Sequence, residues 1–176
     1  WTRQTFALAM AIQNLSWGLF GIFGGMLADR LGAFRVLIGG AALYAMGLAG
    51  MALSPTPLLF SLTTGVLIGA AQAGTTYAII YGVLGRQIPA DKRSWAMGVA
   101  AAAGSFGQFL MVPLEGQLIL RLGWQEALLV LSAMVILIVP LAFGLREPGF
   151  HGSAPIKRTQ SVGEAFAEAL RYRSFL

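Results

Sequence analysis

The chain has 176 residues, of which 57% are hydrophobic and only 11% are charged, and its mean hydropathy is +0.73. Soluble domains carry about a quarter charged residues, so this composition argues against a soluble globular protein and favours a chain that folds in lipid. The net charge of +5 does not indicate nucleic-acid binding, because the basic residues are confined to short gaps between long apolar runs, and the absence of cysteine excludes disulfides and cysteine-ligated metal sites.

Five apolar segments follow one another along the chain. Each is long enough to cross a hydrocarbon layer of about 30 Å as a helix, and none alternates as a barrel strand does. The segments are Thr5–Ala28, Val36–Leu53, Leu58–Leu84, Ser94–Leu120 and Trp124–Leu145. We therefore predict an all-α integral membrane protein, a multi-helix bundle whose transmembrane part covers residues 1–147.

The basic residues predict how this bundle sits in the membrane. Ten of the twelve lie in one set of alternating gaps, and only Arg3 and Arg121 lie on the opposite side. Loops rich in lysine and arginine stay in the cytoplasm, which assigns the larger set to that side. This set comprises Arg30, Arg35, Arg86, Lys92, Arg93, Arg146, Lys157, Arg158, Arg171 and Arg173.

Residues 148–176 are predicted to be a cytoplasmic linker. Within them, Ser161-Val162-Gly163-Glu164 has the pattern of a helix capping box, and apolar residues follow at helical spacing. We expect a short amphipathic helix at the cytoplasmic surface, with an ordinary soluble linker helix as the alternative. Because the chain begins at Trp1 and stops without a finishing element, we interpret it as a piece of a longer protein.

The gap between the first two segments carries the most specific pattern in the sequence. It resembles the signature of the major facilitator superfamily, G-x-L-x-D-R-x-G-R-R, which joins the second and third helices of that family. The matching residues are Gly25, Leu27, Asp29, Arg30 and Gly32. Ala33 and Phe34 stand where two basic residues are expected, and Arg35 follows as a possible substitute. The alternative is a generic charged turn that only fixes topology.

Two further stretches resemble the same family. Arg86–Arg93 is similar to its loop between helices four and five, and Gly123-Trp124-Gln125-Glu126-Ala127 is similar to the turn before its sixth helix. The resemblance implies that the five segments are helices two to six of the N-terminal half. Helix one and the C-terminal half of the same protein would then be its missing partners. It also implies a gating set of Gly25, Asp29, Arg30, Gly32, Arg35, Arg86 and Arg93.

The resemblance further implies secondary active transport of a small organic solute by alternating access. Similarity of the stretch from Arg93 through Gly104-Ser105-Phe106-Gly107 to the monocarboxylate and oxalate:formate branch narrows the expected substrate to a small carboxylate. The alternative is a membrane sensor or scaffold that keeps the fold without transport. We expect no enzyme, cofactor or metal, and a multi-pass location in the bacterial plasma membrane.

Polar residues in the middle of the segments are the candidate substrate contacts, because polar groups in lipid usually face a cavity or the bundle interior. The candidates are Gln13, Trp17, Gln72, Thr76, Tyr77 and Gln108. For each of them a helix–helix hydrogen bond is the alternative. Gly18, Gly21 and Gly25 form a stripe predicted to allow close helix packing. The Tyr44 segment and the segment from Trp124 onward are poor in polar residues and predicted to be peripheral.

Glu115 is the only carboxylate clearly inside a segment. A buried glutamate can carry a proton across part of a membrane, so Glu115 is the candidate proton carrier. The alternative is a glutamate at the membrane interface that is solvated or paired with Arg121.

Overall fold

The computed structural model describes residues 2–146, and in this part of the chain five helices are long and apolar enough to cross a membrane. They are α1 (Arg3–Leu31), α2 (Ala33–Ala52), α3 (Pro57–Gln87), α4 (Ala90–Leu122) and α5 (Trp124–Leu145). All five predicted segments are confirmed, with ends that differ by a few residues. The predicted capping box at Ser161 and the linker helix lie outside the described residues.

Two glycines separate helices that otherwise follow each other directly. Gly32 lies between α1 and α2 with φ 87°, and Gly123 lies between α4 and α5 with φ 84°. Residues with a side chain rarely adopt these angles. At each position the glycine N–H donates to a carbonyl of the helix that has just ended, at Ala28 and Ile119 respectively. Gly32, one of the residues that match the family signature, therefore forms the turn between α1 and α2.

The helix α3 is interrupted, although the sequence predicts one continuous segment. It starts at Pro57, widens into a π-helical turn over Leu62–Leu67, and returns to α-helix over Ile68–Gly74. At Thr75 and Thr76 the backbone leaves the helix, and it resumes over Tyr77–Gln87. The Thr75 hydroxyl donates back to the Ala71 and Gln72 carbonyls at 3.3 and 3.4 Å, and such bonds compete with the backbone ladder of a helix.

Glycines allow α3 to approach its neighbours closely. A Cβ at Gly69 would lie 2.7 Å from the Gln13 carbonyl oxygen of α1, and a Cβ at Gly40 would lie 3.0 Å from the Gly74 carbonyl carbon. Neither contact leaves room for a side chain, so the backbones themselves touch. The α1, α2 and α3 helices therefore form the most tightly packed part of the described bundle.

The predicted packing stripe on α1 is wrong within residues 2–146. A Cβ at Gly18, Gly21 or Gly25 would meet no atom within 4 Å. The helix instead packs through Gly24, where a Cβ would lie 2.6 Å from the Ala73 carbonyl oxygen. Gly24 lies beside this stripe on the surface of α1, and the position of α3 decides that Gly24 is buried and the stripe is not.

Within residues 2–146 the polar-poor helix α2 has a well-buried face, although a position at the periphery of the complete bundle stays a prediction. Its inner face is buried along most of its length, at residues that include Ala33, Val36, Leu37 and Ala41. It lies between α3 and α5 and contacts α1 as well. By contrast, α4 has no buried residue and touches only the last part of α3 and α5 among its main contacts. In the described bundle the buried helix α2 is therefore recognised by its small residues rather than by polar ones.

Hydrogen bonds join α5 to α2 at two levels. The Ser132 hydroxyl donates to the Ala45 carbonyl at 2.7 Å, and Gln125 Nε2 donates to the Ala52 carbonyl at 3.3 Å. The aromatic rings of Phe34 and Phe143 meet near the other end of the pair, with centroids 5.0 Å apart. Contacts along the whole length fix α5 antiparallel to α2.

Replacing Ser132 with alanine should lower the free energy of unfolding by about 0.5–1.5 kcal/mol, because a short interhelical hydrogen bond is lost. Denaturation of the complete gene product in detergent micelles measures this change. Ser105→Ala is the matched control, since Ser105 lies on the exposed surface of α4. Equal stability of the two variants would show that the Ser132 bond adds nothing.

Candidate functional site

One ion pair joins α1 to α3 at the end of the bundle where Arg30, Arg35, Arg86, Arg93 and Arg146 lie, hereafter the basic end. Arg86 Nη1 is 3.8 Å from Asp29 Oδ1, and the two side chains are 34% and 64% exposed. Both residues belong to the predicted gating set. Because the pair is partly exposed, we expect it to add at most about 1 kcal/mol, which is a suitable strength for a contact that has to break and reform.

The other members of the gating set have different surroundings. Arg93 Nη2 donates to the Ile88 carbonyl at 3.4 Å, whereas its Nε is buried without a partner among the described residues. Arg30 and Arg35 are exposed and form no ion pair within residues 2–146. Gly25 faces open space and Gly32 forms the turn. The structure thus brings the set to one end, and within residues 2–146 an ion pair joins Asp29 and Arg86.

The two departures from the family signature have a structural explanation. Ala33 is fully buried, so a long basic side chain would not fit there in this packing. Phe34 packs edge-on against Phe143, and the Arg146 guanidinium carbon lies 6.0 Å from the centre of the Phe34 ring. Such a geometry is favourable because the ring face is electronegative. A cation from the end of α5 therefore lies beside the aromatic ring that replaces the expected base.

Four predicted substrate contacts lie near the middle of their helices. Trp17 is the central residue of α1, Gln72 is the central residue of α3, Thr76 is four residues further along, and Gln108 is within about two residues of the centre of α4. Trp17 is 46% exposed, Gln108 is also exposed, and Gln72 and Thr76 are half-buried. Substrate sites of carriers lie at this depth. The break in α3 is at the same level.

Tyr77 connects the interrupted helix to α4. It follows the break, and its ring stacks on Tyr81 with centroids 5.6 Å apart. A Cβ placed on Gly104 of α4 would overlap the Tyr77 hydroxyl and lie 2.7 Å from its Cζ. Only glycine leaves room for this phenol. Gln108 is one helical turn from Gly104, so Tyr77 and Gln108 lie on the same side of the α3–α4 contact.

Gln72 has a partner that the sequence did not reveal. Its side-chain amide lies within hydrogen-bonding reach of the Tyr44 hydroxyl. For Gln72 this geometry favours the helix–helix hydrogen bond that stood as the alternative. Tyr44 was missed because its helix is otherwise apolar. Apart from Arg35 in its first turn, Tyr44 is the only polar side chain of α2, and this was the signal available.

None of the six substrate candidates lines the main crevice found within residues 2–146. The Gln13 side chain is half-buried, and its carbonyl faces Gly69. A crevice of about 500 Å³ between α1, α2 and α3 has none of the six in its wall. Glu115 is half-buried and has no ion pair with Arg121 within residues 2–146. In the same range no three His, Cys, Asp or Glu side chains come together as a metal site.

Comparison with known proteins gives a family match over the whole chain and more distant individual relatives. The family model described as Major Facilitator Superfamily matches residues 1–176. Monocarboxylate transporter 11 of Mus musculus is 30% identical over 151 residues, which are 86% of this chain and 32% of that protein. The cis,cis-muconate transport protein of Acinetobacter baylyi is 26% identical over 81% of this chain and 35% of that protein.

The names of the relatives indicate different transported substrates. A probable multidrug-efflux transporter of Mycobacterium tuberculosis is 27% identical over 138 residues, which are 76% of this chain and 28% of that protein. The chain thus spans about a third of the length of the curated relatives that it matches. Their names differ in substrate.

Proposed function

This chain belongs to the major facilitator superfamily, and from this membership we propose that it forms part of a secondary active transporter that moves a small carboxylate by alternating access. The family consists of transporters rather than enzymes, and the chain is a multi-pass integral membrane protein. The remaining helices of the same polypeptide, helix one and the C-terminal half, would complete the pathway. The proposed location is the bacterial plasma membrane.

The Asp29–Arg86 ion pair is the structural observation that supports the alternating-access part of the proposal. It joins the basic ends of two helices that are separated by more than fifty residues, and it is exposed enough to exchange with water. Two-state transporters need contacts that are made in one state and broken in the other. A pair worth about 1 kcal/mol can shift such an equilibrium about fivefold.

The proposed substrate path runs along the α3–α4 contact. Tyr77 follows the break in α3 and contacts Gly104 of α4, one turn from Gln108. Gln13, Trp17 and Thr76 are proposed to add contacts at nearby levels. In this proposal Glu115 is the proton carrier. The carboxylate class is supported by the sequence similarity to the monocarboxylate branch and by the names of two relatives.

Uptake of labelled solutes into liposomes by the complete gene product tests this function. The panel should contain lactate, pyruvate and cis,cis-muconate, with and without an imposed proton gradient. We expect saturable flux of at least one of them. If a demonstrably folded protein moves none, the carboxylate proposal is wrong. If it moves no solute of any class, the sensor or scaffold becomes the better description.

Reversing one charge of the ion pair should reduce transport, and reversing both should restore it. In Asp29→Arg two guanidinium groups face each other, and we expect uptake to fall about fivefold or more. The double variant Asp29→Arg/Arg86→Asp re-forms the pair and should recover most of the activity. Asp91→Arg, which changes another exposed acid at the basic end, is the control. If uptake does not recover in the double variant, the ion pair has no role in transport.

A further inference from the structure

A crevice opens between α1 and α2 in the half of the bundle next to the basic end, with α3 behind it. Its volume is about 500 Å³. The wall is almost entirely apolar, with Phe20, Phe23 and Leu27 from α1, Leu43 from α2 and Ala73 from α3. Three of these side chains, Phe23, Leu27 and Leu43, are exposed. An apolar surface of this kind is suited to a hydrocarbon ligand rather than to a small polar solute.

Two guanidinium groups are part of the same crevice. Arg30 at the end of α1 and Arg35 at the start of α2 both contribute to its lining, at the basic end. Both are exposed and neither has an ion pair within residues 2–146. The acid of the same loop, Asp29, is engaged by Arg86. The mouth of the crevice therefore presents two positive charges, and arginine binds phosphate oxygens well because of its planar array of donors.

The length of the crevice matches one leaflet of a bilayer. From Phe20 to Leu31 the lining covers about eleven residues of α1, which is roughly 16 Å of helix. Half of the hydrocarbon core is about 15 Å thick. A small carboxylate held by the arginines would leave nearly all of this apolar length empty. A ligand with a charged head and a long chain would fill it.

We propose that this crevice binds an anionic phospholipid of the leaflet at the basic end. The phosphate lies between Arg30 and Arg35, and one acyl chain runs along the wall towards Phe20. Positive side chains at this depth attract anionic lipids, and the apolar wall adds burial of the chain. The proposal is independent of the transported substrate, since none of the candidate substrate contacts lines the crevice.

Native mass spectrometry of the complete gene product, with added phosphatidylglycerol or phosphatidylcholine, tests the head-group part of the proposal. We expect phosphatidylglycerol to be retained preferentially. Arg30→Gln and Arg35→Gln should each weaken its retention about fivefold, while Arg121→Gln at the opposite end should not. Free glycerol phosphate should not displace the lipid. Equal retention of the two lipids, or displacement by glycerol phosphate alone, would overturn the proposal.

Filling the crevice tests the acyl-chain part. A Cβ at Gly39, which lines the crevice, meets no atom within 4 Å, so Gly39→Leu places a side chain into the space without displacing the backbone. Gly18→Leu is the matched control, because Gly18 is equally open but lies outside the lining. We expect Gly39→Leu to lower phosphatidylglycerol retention at least fivefold, with an unchanged melting temperature, and Gly18→Leu to leave it unaltered. If Gly39→Leu keeps the lipid but impairs transport, the crevice accommodates another part of the protein and the proposal is wrong.

Discussion

Replacing Gly69 with alanine should lower the free energy of unfolding by about 1–3 kcal/mol relative to the same replacement at Gly85. At Gly69 the new methyl group would lie 2.7 Å from the Gln13 carbonyl oxygen and 2.7 Å from the Ser16 Cβ. Backbone atoms cannot rotate away as a flexible side chain can. The α1 and α3 helices would have to separate, which disturbs the most tightly packed crossing of the bundle.

Gly85 makes the comparison quantitative. It lies in the same helix, and its added Cβ would meet only the Met97 methyl group at 4.0 Å. Both changes gain the same intrinsic helix propensity, about 1 kcal/mol in favour of alanine. The difference between them therefore isolates the cost of the close contact. Unfolding of the complete gene product in micelles by denaturant gives this difference. Equal stabilities would mean that the α1–α3 crossing is looser than described.

Replacing Gly104 with alanine should reduce transport about tenfold or more. The new methyl group would occupy the space of the Tyr77 hydroxyl, so the phenol has to leave its position beside the break in α3. Overpacking of this kind costs about 1–3 kcal/mol, and displacement of Tyr77 also removes a proposed substrate contact. Initial rates of solute uptake into liposomes measure the effect.

Two further variants show whether the Tyr77 contact is the cause. Gly107→Ala changes a glycine of the same helix where a Cβ meets nothing within 4 Å, and it should leave transport unchanged. Tyr77→Leu removes the hydroxyl and the ring carbons that the new methyl group would strike. If Tyr77 acts only through this contact, adding Gly104→Ala to Tyr77→Leu should cause no further loss. If the double variant loses as much further transport activity as Gly104→Ala causes alone, Gly104 acts through a contact other than Tyr77.

The sequence predicted those features that depend on composition and on local chemistry. Five apolar runs became five helices because each backbone must satisfy its own hydrogen bonds in lipid. Gly32 lies in the predicted gap between the first two segments, and its φ of 87° explains why glycine is needed. The loop that contains Asp29 was identified from five residues that match the family signature, and the family model matches the whole chain. None of these conclusions needed knowledge of which helix lies beside which.

The features that the sequence did not predict depend on neighbours. Gly24 and Gly25 are adjacent, and only the location of α3 makes the first a packing residue and leaves the second open. The break at Thr75 contains no proline, so no strong signal marked it. The polar candidates Gln72 and Tyr77 were identified from their depth, whereas their partners Tyr44 and Gly104 were not. Whether the six candidates bind substrate is still a prediction.

The length of α4 relates this protein to the thickness of its membrane. Between Arg93 and Arg121 the helix extends for about 42 Å, and a bilayer with its headgroups is about 40–45 Å thick. An upright α4 therefore places one guanidinium in each headgroup layer, with Glu115 just inside the hydrocarbon boundary. In a thinner bilayer the helix has to tilt. In a thicker bilayer its two arginines would lie closer to the hydrocarbon core.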